Sequence, residues 1–115
     1  MVRIGDKEVV FQQTLLALDD QDVSLEIPVR DSVLRIRLRC VGLGAEEKQT
    51  ADWKTVDGVL EIVLRGWHNP VGTALSPPER LGDIKGDPLW FQAATYRIAT
   101  LNVIHFLVLL GGANA

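Results

Sequence analysis

The chain has 115 residues, of which 47% are hydrophobic and 23% charged, and its formal net charge is −3. This length predicts one domain over residues 1–115, and the slightly acidic balance gives no reason to expect nucleic-acid binding. The single cysteine, Cys40, excludes an internal disulfide and a zinc site built from several thiolates. Because the N-terminal MVRIGDKEVV has no signal-peptide pattern, we expect a cytoplasmic protein.

The first third of the chain alternates between apolar and polar residues, which is typical of strands. Residues 8–18 predict one strand, with Val9, Phe11, Leu15 and Ala17 on a common face. Residues 23–30 predict the next, and because Pro28 has no amide hydrogen to donate, we expect this strand at a sheet edge or bulged.

Residues 32–41 alternate most regularly. The apolar face carries Leu34, Ile36, Leu38 and Cys40. The opposite face carries a basic stripe of Arg35, Arg37 and Arg39. Two interpretations stay open, a solvated sheet face with neighbouring acids and a docking surface for an acidic partner.

Residues 50–65 predict a β-hairpin, since Asp57-Gly58 is a strong two-residue turn signal. Pairing across this turn sets Val56 opposite Val59, Lys54 opposite Glu61 and Trp53 opposite Ile62. One register thus pairs the opposite charges of Lys54 and Glu61 on one face and sets Trp53 and Ile62 together on the other.

Residues 66–88 contain four of the five prolines and predict a long loop, interrupted by a short strand near 81–85. Trp67 and His68 lie in this loop and are candidates for binding a partner. An acid-base pair of His68 with Asp83 or Glu79 is the weaker alternative, because nothing in the spacing requires it.

The most apolar run is TLNVIHFLVLLGG at residues 100–112. Both parities are apolar, which is typical of a strand buried on both faces. One long helix from Leu89 is the alternative, but the β-branched residues disfavour it. We expect two strands, 89–99 and 100–110, joined by a tight turn, and the run is too short to span a bilayer.

These elements predict an all-β fold, a small antiparallel β-sandwich of about seven or eight strands in up-and-down succession. The expected core residues are Phe11, Leu25, Ile27, Ile36, Leu38, Trp53, Ile62, Leu64, Phe91, Val103 and Leu107. The sequence has neither a nucleophile elbow nor a phosphate-binding loop, so we expect no enzyme, no cofactor and no metal site. His105 is expected to be a hydrogen-bonded strand residue, and Cys40 an inert apolar one.

The last strand and the Gly111-Gly112 pair resemble the C-terminus of ubiquitin-like modifiers, including bacterial members encoded in antiviral defence operons. The resemblance implies that a peptidase removes Ala113-Asn114-Ala115. Activating and conjugating enzymes (E1/E2-type) would then act on Gly112, with Leu109 and Gly111 lining their grooves. It also implies a β-grasp-like α+β fold as the alternative architecture.

Two functional hypotheses follow, and both involve protein partners rather than nucleic acid or membrane. The first is the ubiquitin-like modifier, which accounts for the glycines and for the three residues after them. The second is a non-catalytic β-sandwich subunit that binds through the basic stripe or through the long loop. The sequence leaves the oligomeric state open.

Overall fold

A computed structural model describes residues 2–41, 50–66 and 75–112. Within these ranges the chain forms strands and turns, and no helix. The nine strands are β1 (Arg3–Ile4), β2 (Lys7–Ala17), β3 (Asp22–Val29), β4 (Ser32–Val41), β5 (Thr50–Val56), β6 (Val59–Arg65), β7 (Glu79–Ile84), β8 (Asp87–Ile98) and β9 (Leu101–Leu110).

The strands form two sheets that pack as a sandwich. One has five strands in the order β1-β2-β9-β8-β7, and the other has four in the order β3-β4-β6-β5. The predicted all-β sandwich is confirmed, with nine strands rather than seven or eight. The β-grasp alternative is not observed, since the described residues contain no helix.

The strand order departs from simple up-and-down succession at two places, where β2 lies beside β9 and where β4 lies beside β6. Strand β6 pairs with β4 in parallel, and β5 is an edge strand of that sheet. The four-stranded sheet is therefore mixed, and the expectation of a purely antiparallel sandwich is wrong at this pair.

The C-terminal strand β9 lies in the middle of the five-stranded sheet, between β2 and β8, and is antiparallel to both. The expected turn between β8 and β9 is present at residues 99–100. Strand β3, which contains Pro28, is an edge strand as predicted. The helical alternative for residues 89–110 is thereby excluded.

The β5–β6 hairpin has the predicted register. Val56 pairs with Val59, Lys54 with Glu61 and Trp53 with Ile62. Both turn residues adopt positive φ, 52° at Asp57 and 78° at Gly58, as a two-residue hairpin turn requires.

The core lies between the sheets and contains a connected series of four aromatic rings, Trp53, Phe91, Phe106 and Phe11. Phe91 contacts Trp53 edge-on at 5.5 Å and stacks with Phe106 at 6.0 Å between ring centroids. Most of the predicted core residues lie here. Val103 and Leu107 do not, because the other parity of β9 faces the core, namely Ile104, Phe106, Val108 and Leu110.

A bulge in β2 changes which side chains face the core. The pairing with β9 shifts between Val9, which pairs with Leu109, and Phe11, which pairs with Val108. The extra residue places Val9 and Phe11 on opposite faces of the sheet. The prediction that they share a face is therefore wrong.

Candidate functional site

The outer face of the four-stranded sheet carries the basic stripe of Arg35, Arg37 and Arg39. These side chains alternate with the core residues of β4, so all three point to solvent. Acidic residues on neighbouring strands lie beside them. The nitrogen–oxygen pairs on this face are Arg35–Glu26 at 3.9 Å, Arg37–Glu61 at 2.8 Å, Arg39–Asp22 at 2.8 Å and Arg65–Asp52 at 3.5 Å.

These pairs keep the charged face close to electrical balance. The hydrogen bond from Arg39 holds the pKa of the Asp22 carboxyl below its ordinary value, and the same bond raises the pKa of Arg39. The side chains surround a depression of about 390 Å³. Because each arginine of the stripe already has a carboxylate neighbour, the geometry corresponds to a solvated charged face. The docking interpretation of Arg35, Arg37 and Arg39 stays a prediction.

The outer face of the five-stranded sheet is different, because it is largely apolar. At one end of this face, Trp90, Leu107 and Leu109 form a buried cluster against which Val9 and Leu75 pack. The Lys7 ammonium lies 4.6 Å from the centroid of the Trp90 ring. This end of the outer face is covered by the chain itself.

The other end of this face is open to solvent. Leu16 is 61% exposed, Leu18 51%, Ile98 59% and Leu101 37%. Leu101 pairs with Ile98, and Leu16 lies beside Val103 one row further along the sheet. We call these four exposed side chains the apolar patch. Contiguous exposed apolar residues of this kind mark interaction sites.

The Gly-Gly pair directly follows β9 and is held by its neighbours. The Gly111 amide donates to the Pro88 carbonyl at 2.8 Å, and the Trp90 indole donates to the Gly111 carbonyl at 2.9 Å. A β-carbon added to Gly112 would lie 2.7 Å from the Asp6 carboxylate. Gly111 is therefore held in place at the end of the central strand β9 rather than extending freely from it.

Leu109 was expected to line an enzyme groove, and its side chain is fully buried. Gly112 is exposed. Trp67 and His68 lie outside the described residues, as do the loop at 42–49 and Ala113-Asn114-Ala115.

The two remaining candidate side chains occupy structural positions. The His105 ring lies 2.9 Å from the Thr14 hydroxyl and contacts Tyr96. Cys40 is buried in the core, and burial raises the pKa of its thiol to about 12. In the described ranges no three acidic, histidine or cysteine side chains are placed to hold a metal ion, and no helix is long and apolar enough to cross a membrane.

A family model for a domain of unknown function, DUF6864, matches residues 1–111. The chain belongs to the DUF6864 family. No curated protein and no solved structure matches it. The part shared with the DUF6864 family includes all nine strands and ends at the first of the two glycines.

The apolar patch of this DUF6864 member was missed by sequence reasoning. A signal was present in Leu15-Leu16-Ala17-Leu18, four consecutive apolar residues at the end of an otherwise alternating segment. Such a run places apolar side chains on both faces of a strand. The prediction for residues 8–18 placed Gln12 and Thr14 on the face opposite Leu15 and Ala17, and it assigned neither Leu16 nor Leu18.

Proposed function

We propose that this domain is a non-catalytic protein-binding subunit that docks a second protein through the five-stranded sheet. The observation that carries the proposal is the apolar patch, which leaves four large side chains exposed, with Leu16, Ile98 and Leu101 on two adjacent rows of one sheet face. Burying such side chains stabilises a complex by about 25 cal/mol for each Å² removed from water. The partner would present a complementary apolar surface.

The surroundings of the patch support a docking role. The sheet beneath it is rigid, because β9 is paired on both sides and its inner side chains are buried in the core. Near the patch, Arg97 forms an ion pair with Asp19 at 3.2 Å. A rigid apolar surface with charged groups at its margin is the usual anatomy of a protein interface.

The charged face is a secondary candidate surface within the same proposal. Its ion pairs are partly exposed, and pairs of this kind are weak enough to exchange partners. An acidic partner would take over the arginines from Asp22, Glu26 and Glu61. Such binding would weaken with salt, whereas docking on the apolar patch would not.

Photo-crosslinking tests the proposal. A benzophenone amino acid is placed at Ile98, and in a matched control at Val33, which is 57% exposed on the opposite sheet. With the neighbouring genes co-expressed, we expect a discrete adduct of defined mass from position 98 and none from position 33. Absence of an adduct at position 98, or the same adducts from both positions, would overturn the proposal.

The second candidate function is a ubiquitin-like modifier of the kind used in bacterial antiviral defence. It is favoured by the central position of β9 directly before the glycines and by the exposure of Gly112. It requires Gly111 to leave its hydrogen bonds to Pro88 and Trp90 before an enzyme groove admits the tail. In the cytoplasm of the native host, intact mass distinguishes the two candidates. Loss of Ala113-Asn114-Ala115 with adducts ending at Gly112 supports the modifier, and an unchanged mass supports the binding subunit.

A further inference from the structure

Strand β2 has a long free margin. Its only neighbour on that side among the described residues is β1, which pairs with Lys7 and Glu8. One more hydrogen bond runs from the Val9 amide to the Val2 carbonyl. Beyond this point Gln12, Gln13, Thr14 and Leu16 are all exposed. The backbone from Val10 to Ala17 therefore presents a sheet edge to solvent.

The other long edge strands carry features that discourage pairing with another chain. Strand β3 contains Pro28 and two acidic residues, and β5 contains Asp52 and Lys54. Strand β7 carries three charged residues, and its pairing with β8 is irregular between Arg80 and Gly82. Charges, prolines and bulges are the usual means by which edges avoid association. Residues 9–17 of β2 contain no charge, proline or glycine.

Beyond the bulge, from Phe11 to Leu15, the sequence of this edge is self-complementary when it is reversed. Around Gln13, the order is apolar (Val9, Val10, Phe11), polar (Gln12, Gln13, Thr14) and apolar (Leu15, Leu16, Ala17). An antiparallel pair of identical strands centred on Gln13 sets Phe11 opposite Leu15 on the inner face. It sets Gln12 opposite Thr14 on the outer face, and Gln13 opposite its own copy.

We propose that the chain forms a homodimer by antiparallel pairing of β2 with β2 of a second copy, about a two-fold axis at Gln13. The contact is isologous, because the same residues lie on both sides of the axis. It joins the two five-stranded sheets edge to edge and gives hydrogen-bond partners to backbone groups of β2 that pair with no strand among the described residues. No charged residue lies between positions 9 and 17, so the two copies bring no like charges together.

This dimer shares Leu16 with the apolar patch but does not involve the patch residues on β8 and β9. Ile98 lies on β8, two strands away from the free edge of β2. Edge pairing therefore leaves Ile98 accessible, and either proposal can fail without the other.

Charge variants at the two-fold axis test the dimer. Gln13→Lys and Gln13→Glu each place like charges opposite each other in a homodimer, and we expect each to weaken self-association by roughly tenfold or more. An equimolar mixture of the two variants places opposite charges at the axis and restores the dimer as a heterodimer. Val33→Lys, a matched exposed change on the other sheet, leaves self-association unchanged.

The measurement is light scattering with sedimentation velocity, over concentrations from about 1 µM to about 1 mM. The wild-type chain is expected to reach twice the chain mass of 12.7 kDa. A wild-type chain that stays monomeric throughout this range overturns the proposal. A dimer that persists in both single variants, or a mixture that fails to re-form it, places the interface elsewhere and overturns the proposal equally.

Discussion

The two outer faces of this sandwich differ in the side chains they carry and in how far those side chains are paired or buried. On the four-stranded sheet, charged residues alternate with core residues, and the outward side chains form ion pairs in water. On the five-stranded sheet, both parities of β9 are apolar, and its outward side chains are buried at one end of the sheet beside an open patch at the other. A face whose charged side chains pair with one another needs no partner protein. An exposed apolar face, by contrast, is stabilised when another protein covers it.

The largest expected effect concerns the two faces of β4. Because the Cys40 thiol is buried while Arg39 next to it in the strand faces solvent, we expect its reaction with a thiol reagent to be on the order of a thousandfold or more slower in the folded chain than in denaturant. Titration with a chromogenic disulfide checks this at neutral pH. Rapid reaction without denaturant would contradict the face assignment of β4.

The same thiol predicts a pH dependence. Burial raises its pKa from 9.0 to about 12, so the folded chain keeps a proton that the unfolded chain loses. Its contribution to the free energy of unfolding is full below pH 9.0 and falls as the pH rises toward 12. Urea unfolding of wild type and Cys40→Ala across this range isolates the contribution, and parallel profiles for the two proteins would refute it.

The next effect compares the outer faces directly. Leu109 is fully buried on the outer side of its sheet, so Leu109→Ala is expected to lower the free energy of unfolding by about 2–5 kcal/mol. Arg37→Ala on the charged face removes a partly exposed ion pair and is expected to stay close to wild type. Urea denaturation measures both. Equal losses in the free energy of unfolding from the two substitutions would contradict this difference between the outer faces.

A smaller effect tests whether the first glycine belongs to the sheet. Gly111 has φ +89° and Gly58 has φ +78°, and in both cases the space that a β-carbon would occupy is open. If the hydrogen bonds to Pro88 and Trp90 fix the Gly111 backbone, we expect Gly111→Ala to lower the free energy of unfolding by about 1–2 kcal/mol. We expect the same loss from Gly58→Ala in the hairpin turn. A free tail would rearrange, and Gly111→Ala would then leave the free energy of unfolding unchanged.

The smallest expected effect lies in the charged face. The pKa of Asp22 is lowered by the Arg39 hydrogen bond, so the pair stabilises the fold above the ordinary carboxyl pKa. This contribution is lost as the pH falls through the lowered value. Asp22→Asn is expected to reduce slightly the difference between the free energy of unfolding at neutral pH and that at acidic pH. A large loss of stability at neutral pH would show that this face is not merely solvated.

Where local chemistry determines the structure, the sequence predicted the turn, the register and the strand bounds at the correct residues. Asp57-Gly58 permits the positive φ values of a two-residue turn, and the register of β5 and β6 follows from it. The alternation of residues 32–41 likewise set the bounds and the buried face of β4. The placement of β9 in the middle of a sheet followed from its two apolar faces.

The same patterns did not predict which strands lie side by side or which face of a strand points to the core. Periodicity does not encode which strand lies beside β4, so the parallel pairing with β6 was missed. It also gives no preference between the two apolar faces of β9, which is why Val103 and Leu107 were assigned to the wrong side. The free edge of β2 depends on how short β1 is, and this is a property of the assembled sheet rather than of any one segment.

The central claim is that the C-terminal strand and Gly111 are structural parts of the sheet, and the proposed binding role depends on this. Amide hydrogen exchange of Gly111 tests this most directly. Its hydrogen bond to the Pro88 carbonyl at 2.8 Å predicts exchange slowed by at least about a hundredfold relative to an unstructured chain. Exchange of the Gly111 amide at the rate of an unstructured peptide would contradict the account.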